Sequence, residues 1–430
     1  MKTYEKGIER FIAKLVYSIP GVRRMEDFVS DQLVDTIMYV PWALISYPFR
    51  AKKSAEVKEF MQKTGGFIKG VCHSPESFEQ IKNAGIKWNR IDLPFPFDAQ
   101  GSLRNEYIEC KASIKRYVDN GIKVMAVTPY PYEYIEFGID PRLPEHESRV
   151  REIARFFITD LRDLIGAMQI SNELGVQRFR FPLTTAEVVS FMGLHFEEIF
   201  PLRGNVVIGY NEAGPQVDIY HAMKPYHKYC DYVGMDIYIG CFFTAGNWMW
   251  IFGLLFDYLW SFTGKPIMLS EFGYMGGGKP KTPEEKRAVL ERYGVSTEEE
   301  ARQNIEAFVK NLPEKMQEKV YRNASGDLGN FLFKSDFKSH LYTELTAKMV
   351  IKKYPHTPEG QAGFYRELLP KLMKKPFLIG ATIYSYEDEA ICYYCGQIDC
   401  PVETTWGLTT SDGREKPAYY AVQEAWKNTN

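Results

Sequence analysis

The chain has 430 residues, more than one average domain needs, although barrels run past about 200 residues as a single unit. Hydrophobic residues at 45% and charged residues at 25% sit on the globular average, which excludes disordered, collagen-like and coiled-coil readings. Lys plus Arg number 53 against 55 Asp plus Glu, a net charge of -2 without the basic footprint that a nucleic-acid partner demands.

The N-terminus mixes both charges within its first ten residues and offers no apolar core followed by a small-residue cleavage site, so a cytoplasmic protein is expected. Residues 1–65 read as a mostly helical appendage that caps the bottom or one flank of the domain formed by residues 66–430. Within it, Thr36 to Phe49 is broken by Pro41 and Pro48 and is read as packing on the protein, with a lipid surface as the alternative. From residue 66, apolar β-branched runs alternate with helical patterns. The predicted strands are Phe67–His73, Trp88–Leu93, Lys123–Thr128, Ala167–Asn172, Asn205–Tyr210, Tyr232–Tyr238, Pro266–Glu271 and Leu378–Tyr386. Between them, Glu76–Gly85, Glu147–Leu164 and Thr184–Phe200 carry helical spacing or caps.

Eight such units predict an α/β fold, a (β/α)8 TIM barrel over residues 66–430 whose chemistry sits at the carboxyl ends of its strands. A doubly wound sheet is the alternative, but Cys72-His73-Ser74-Pro75 stands where its Gly-rich phosphate turn is needed. Residues 276–355 form a helical insertion between the seventh strand and its helix, either a lid or a solvated subdomain. The uncharged run Ile237 to Phe256 is long enough to span a bilayer, yet it begins in a strand and contains Gly240, Gly246 and Gly253. Membrane contact is therefore not expected.

The fourth strand ends in Ser171-Asn172-Glu173 and the seventh in Leu269-Ser270-Glu271, so each apolar strand delivers a carboxylate at its tip. In a barrel these two strands face each other across the mouth. Two opposed carboxylates are what cleavage of a glycosidic bond requires: one protonates the leaving oxygen, the other attacks the anomeric carbon or activates water.

With these residues in order, the sequence resembles the retaining glycoside hydrolases of clan A, sharing parts of families 2, 5 and 39. The resemblance implies that Glu173 is the acid/base, Glu271 the nucleophile and Asn172 the partner of the sugar 2-hydroxyl. It further implies that Arg90, in Trp88-Asn89-Arg90-Ile91-Asp92, keeps the nucleophile ionised, and that Tyr238 donates to it. Trp406-Gly407-Leu408, Asp412-Gly413, Lys416-Pro417-Ala418-Tyr419-Tyr420 and Glu359-Gly360-Gln361-Ala362 match passages of the same clan. Where many members carry a tryptophan at the tip of strand eight, this chain has Ile383-Tyr384-Ser385-Tyr386, so the sugar floor falls to Tyr384, Tyr386 or Trp406. The implied reaction is a double displacement on a β-glycoside, with carboxyl groups roughly 5 to 5.5 Å apart. It needs no cofactor and no catalytic metal. The substrate class is carbohydrate, on short oligosaccharides or glycosides; the competing reading is a catalytically silent barrel that binds carbohydrate or a partner protein.

Asn211-Glu212 is a second Asn-Glu at a strand end, and counting from either end puts it on strand five. Glu212 is the rival acid/base to Glu173, and the strand count favours Glu173, so that Glu212 is read as binding a sugar hydroxyl or capping the turn. Aromatic residues at 15% are the compositional excess, and those after strands, Tyr130, Trp248 and Tyr274 among them, are candidates for stacking on sugar rings. His73 at the end of strand one is a candidate for a sugar hydroxyl. Cys392, Cys395 and Cys400 offer three of the four ligands a structural zinc wants; the fourth has to be Cys241 or a histidine from another loop. Reduced thiols or one loop disulfide is the preferred reading, and no metal is assigned.

Overall fold

Five of the eight strands are buried along their whole length, as expected of parallel strands covered on both faces. The computed structural model describes residues 7–22, 30–31, 33–38, 41, 45, 54–214, 216–241, 250–324, 326–335, 337–345 and 351–427. Its strands are β1 (Ile68–Cys72), β2 (Trp88–Asp92), β3 (Lys123–Val127), β4 (Ala167–Gln169), β5 (Val207–Ala213), β6 (Tyr232–Ile237), β7 (Ile267–Phe272) and β8 (Leu378–Ile383). Each pairs in parallel with the next and β8 closes on β1, giving the (β/α)8 barrel that the strand pattern predicts. β4 stops at Gln169, three residues earlier than predicted, because the backbone turns into the left-handed region at Ser171.

The helices that cover the strands follow their apolar periodicity. Glu147–Leu161 buries Val150, Ile153, Ala154, Phe157, Ile158 and Leu161, the i, i+3, i+4 stripe of an amphipathic helix. Thr185–Ile199 starts on a reciprocal Thr184–Glu187 capping box. Among the described residues no helix is long and apolar enough to cross a membrane. The uncharged run from Ile237 instead leaves β6 and later forms the helix Trp250–Thr263.

The chain divides into two compact units. One comprises Met1–Ile237, Trp250–Phe272 and Lys371–Ile383, and contains the whole barrel. Its helix Ser54–Thr64 lies against the amino ends of the strands: Phe60 meets Tyr232 edge-on at 5.8 Å, and Lys123 Nζ donates to Thr64 O at 2.7 Å. That leaves the carboxyl ends for chemistry. The other unit comprises Tyr238–Met249, Gly273–Pro370 and Tyr384–Asn430, and so joins the helical insertion to the segment after β8. Buried Val289, Phe308, Met316, Leu332 and Phe337 come from five of its helices. Gln361 Nε2 donates to Tyr274 O at 2.7 Å and Trp406 O at 3.0 Å, tying the segments after β7 and β8 together.

Phe60 is 2% exposed, so Phe60→Ala opens a cavity at the amino end of the barrel. The expected loss is about 3 to 5 kcal/mol of stability by chemical denaturation; a change below about 1 kcal/mol would show that this helix does not support the barrel.

Candidate active site

The carboxyl ends of the strands hold a buried polar cluster centred on Arg90 of β2, which is 1% exposed. A buried guanidinium must have its charge paired and its donors used. Nη1 lies 2.8 Å from Glu271 Oε1, Nη2 donates to Asn172 Oδ1 at 2.7 Å, and Nε donates to Gln169 Oε1 at 3.4 Å. One side chain thus joins β2, β4 and β7. Asn172 Oδ1 also accepts from Asn211 Nδ2 at 2.6 Å, which fixes the amide and turns its Nδ2 toward the Tyr130 hydroxyl, 3.2 Å away.

Two local irregularities place the carboxylates. Between Met268 and Glu271, β7 advances three residues where β6 advances two, and the same extra residue appears against β8 between Leu269 and Phe272. This bulge lets consecutive residues serve one site: Glu271 pairs with Arg90, and Ser270 Oγ donates to Asp236 Oδ1 at 2.6 Å. Beyond β4, Ser171 and Glu173 both have positive φ, 54° and 48°. Their amides are held by Thr128 Oγ1 at 2.9 Å and Asn211 Oδ1 at 3.3 Å, so neighbouring strands support the strained turn.

Asp236 is the member that the sequence reading missed. The β6–β7 register sets it beside Glu271, and it accepts from Asn211 Nδ2 and Ser270 Oγ while hydrogen-bonding Glu173. Gly234 makes room for this arrangement, since a Cβ there would come within 2.5 Å of Ser270 Oγ and 2.7 Å of Asn211 Cβ. Burial, then the charges of Glu271 and Glu173, push the Asp236 carboxyl well above its ordinary range. Burial, then the charge of Glu271, push Glu173 up to about 7. Three carboxyl groups around one guanidinium are thereby kept from all being charged. A charged residue in the apolar run Tyr232-Val233-Gly234-Met235-Asp236-Ile237 was the available signal.

Glu212 occupies a different place. Strand alternation sends Asn211 into the cluster and Glu212 to the opposite face, where its buried carboxyl accepts the Gly175 N–H at 2.7 Å beneath the turn after β4. Burial raises its pKa well above the usual value. Tyr130 stacks between Tyr132 and Phe179, with ring centroids 5.2 and 5.4 Å away. His73 is exposed and lines a cleft with Arg90 and Asp92.

In the second unit, Tyr238 meets Trp406 edge-on at 5.1 Å and Tyr384 at 6.0 Å. Trp406, Tyr386 and Tyr274 are buried; Tyr274 stacks on Phe364 and donates to Tyr354 O. Trp248 lies outside the described residues. Cys241 is buried and accepts the Met275 N–H. The fourth side chain beside Cys392, Cys395 and Cys400 is His340, a lone histidine of the insertion whose spacing carries no ligand signal.

No protein-family model matches the sequence, and no curated protein matches it. The GH53 catalytic domain of Ignisphaera aggregans is similar in structure, with a TM-score of 0.54 and 16% identity over 84% of this chain and 96% of that one. A GH2 β-galacturonidase from Eisenbergiella tayi bound to glycerol gives a TM-score of 0.49 at 14% identity, covering 85% of this chain and 51% of that one. A β-glucuronidase from Faecalibacterium prausnitzii gives 0.46 at 16% identity, covering 85% and 49%. This chain thus spans about half the length of those two enzymes. The likeness to the GH53 domain extends over nearly all of that domain, and what the two share is the (β/α)8 barrel.

Proposed function

We propose that this chain is a clan A glycoside hydrolase that cleaves β-glycosides with retention, using Glu271 as nucleophile and Glu173 as acid/base. The observation that carries the reading is the division of labour between two carboxyl groups in one buried cluster. Glu271 is paired with Arg90, while Glu173 has its pKa pushed up to about 7. Groups whose environments differ in this way suit nucleophile and acid respectively.

In the first step a Glu271 oxygen bonds to the anomeric carbon as the bond to the leaving oxygen breaks, and the Glu173 proton passes to that oxygen. In the second, Glu173 takes a proton from water as the water oxygen displaces Glu271 and frees the sugar. The hydrogen bond from Asp236 steadies Glu173 while it is charged between the steps. Asn172, its Oδ1 committed to Arg90 and Asn211, has an amide N–H to offer the sugar 2-hydroxyl.

Nitrophenyl β-glycosides and short oligosaccharides, with the first-formed anomer read by NMR, test the reaction and identify the sugar and linkage. A β product and loss of turnover in Glu271→Ala are expected. Glu173→Ala should lose about 10²- to 10⁴-fold on substrates with poor leaving groups and far less on dinitrophenyl glycosides. An α product, or turnover untouched by either substitution, would overturn the assignment.

The pH profile depends on the acid. Glu173 must carry its proton in the first step, so kcat/KM for a poor leaving group is expected to fall about tenfold per pH unit above pH of about 7. A dinitrophenyl leaving group needs no proton and should lose this alkaline limb. The same limb for both leaving groups would contradict the role of Glu173.

A further inference from the structure

Within the second unit, the helix Phe337–Tyr342 and the segment after β8 converge on four buried side chains that the carboxylate cluster does not use. We propose that His340, Cys392, Cys395 and Cys400 form a structural zinc site. Their ligand atoms all lie within 4.8 Å of one another, and His340 Nδ1 is 3.6 Å from Cys392 Sγ and 3.5 Å from Cys400 Sγ. A tetrahedral zinc, with bonds of about 2.3 Å to sulfur and about 2.0 Å to nitrogen, separates sulfur from nitrogen by about 3.5 Å. His340 thus already stands at the spacing of an occupied site from Cys392 and Cys400, and Cys395 Sγ lies within 4.8 Å of all three.

All three cysteines are free thiols, and none of the three is exposed at all. A loop disulfide would use two sulfurs and leave the third thiol and the imidazole converging without purpose. The backbone is arranged around the sulfurs instead. Cys395 N–H donates to Cys392 Sγ at 3.4 Å, and Gly396, at a φ of 75° open to glycine, turns its N–H onto Cys392 O at 2.7 Å. Gln397 Nε2 donates to Cys395 Sγ at 3.6 Å and to His340 O at 2.8 Å, linking the two ligand-bearing segments. Donors aimed at sulfur stabilise thiolate and orient it toward a metal.

Three soft thiolates and an imidazole select zinc over magnesium or calcium. Four protein ligands fill a tetrahedron, leaving no position for water or substrate, so the role is structural. Binding releases three thiol protons, keeps His340 neutral and leaves the complex with one net negative charge. The metal clamps the insertion to the segment after β8, adding to the hydrogen bond from Gln397 Nε2 to His340 O and the packing that already join them.

The full chain, purified from zinc-supplemented culture, is expected to hold one zinc per chain by elemental analysis. Replacement by Co²⁺ should give thiolate-to-cobalt charge-transfer absorption and tetrahedral d–d bands. Cys395→Ser and His340→Ala should each lose the zinc. Because either variant can fail to fold, the native chain provides the second measurement: chelation should lower the thermal midpoint, and one equivalent of zinc should restore it. Less than a tenth of an equivalent of metal together with no cobalt spectrum would overturn the proposal. So would stoichiometric iron, or a disulfide among Cys392, Cys395 and Cys400 in freshly purified protein.

Discussion

The ion pair between Arg90 and Glu271 is the constraint on which the rest of the barrel mouth depends. A guanidinium that is 1% exposed is tolerable only if its donors are satisfied, and here Glu271, Asn172 and Gln169 satisfy them from two further strands. Removing one partner of such a pair typically costs about 3 to 5 kcal/mol, because the other charge is left buried. The network runs on from Asn172 to Asn211, Asp236 and Ser270, so that five strands hold one another in register through polar side chains. The interior above the apolar layers is thereby cross-linked by polar side chains.

That network supports two departures from regular structure, both next to carboxylates. The extra residue in β7 turns Ser270 and Glu271 to a common site, and the left-handed turn at Ser171 and Glu173 carries the second carboxyl off the end of β4. Positive φ at a non-glycine residue is unfavourable, and persists where neighbours hold it. Here Thr128 and Asn211 do so through the turn's own amides.

Much of this was legible in the chain. The eight barrel strands write themselves as apolar runs, and Asn172-Glu173 and Ser270-Glu271 stand out because a strand tip is a costly place for an idle carboxylate. What could not be read depends on side-chain direction or on distant partners. Asn211 and Glu212 look like one motif, but alternation sends them to opposite faces. Asp236 looks like a lone charge within a strand until the β6–β7 register sets it beside Glu271. His340 lies 52 residues before Cys392, and no local spacing links them. The aromatic excess also divides: Tyr274, Tyr386 and Trp406 fill the interior of their unit, whereas Tyr130 lies against the Asn172 amide.

The proposed double displacement requires one carboxylate to bond to the sugar, and the identity of that carboxylate is its central claim. Incubation with an activated 2-deoxy-2-fluoro glycoside, which slows release of the intermediate, followed by peptide mass spectrometry, reads this directly. The label is expected on Glu271, in the peptide that contains Met268-Leu269-Ser270-Glu271-Phe272. A label on Glu173 or Asp236, or turnover of the parent glycoside with no label on any carboxylate, would contradict the assignment of Glu271 as nucleophile.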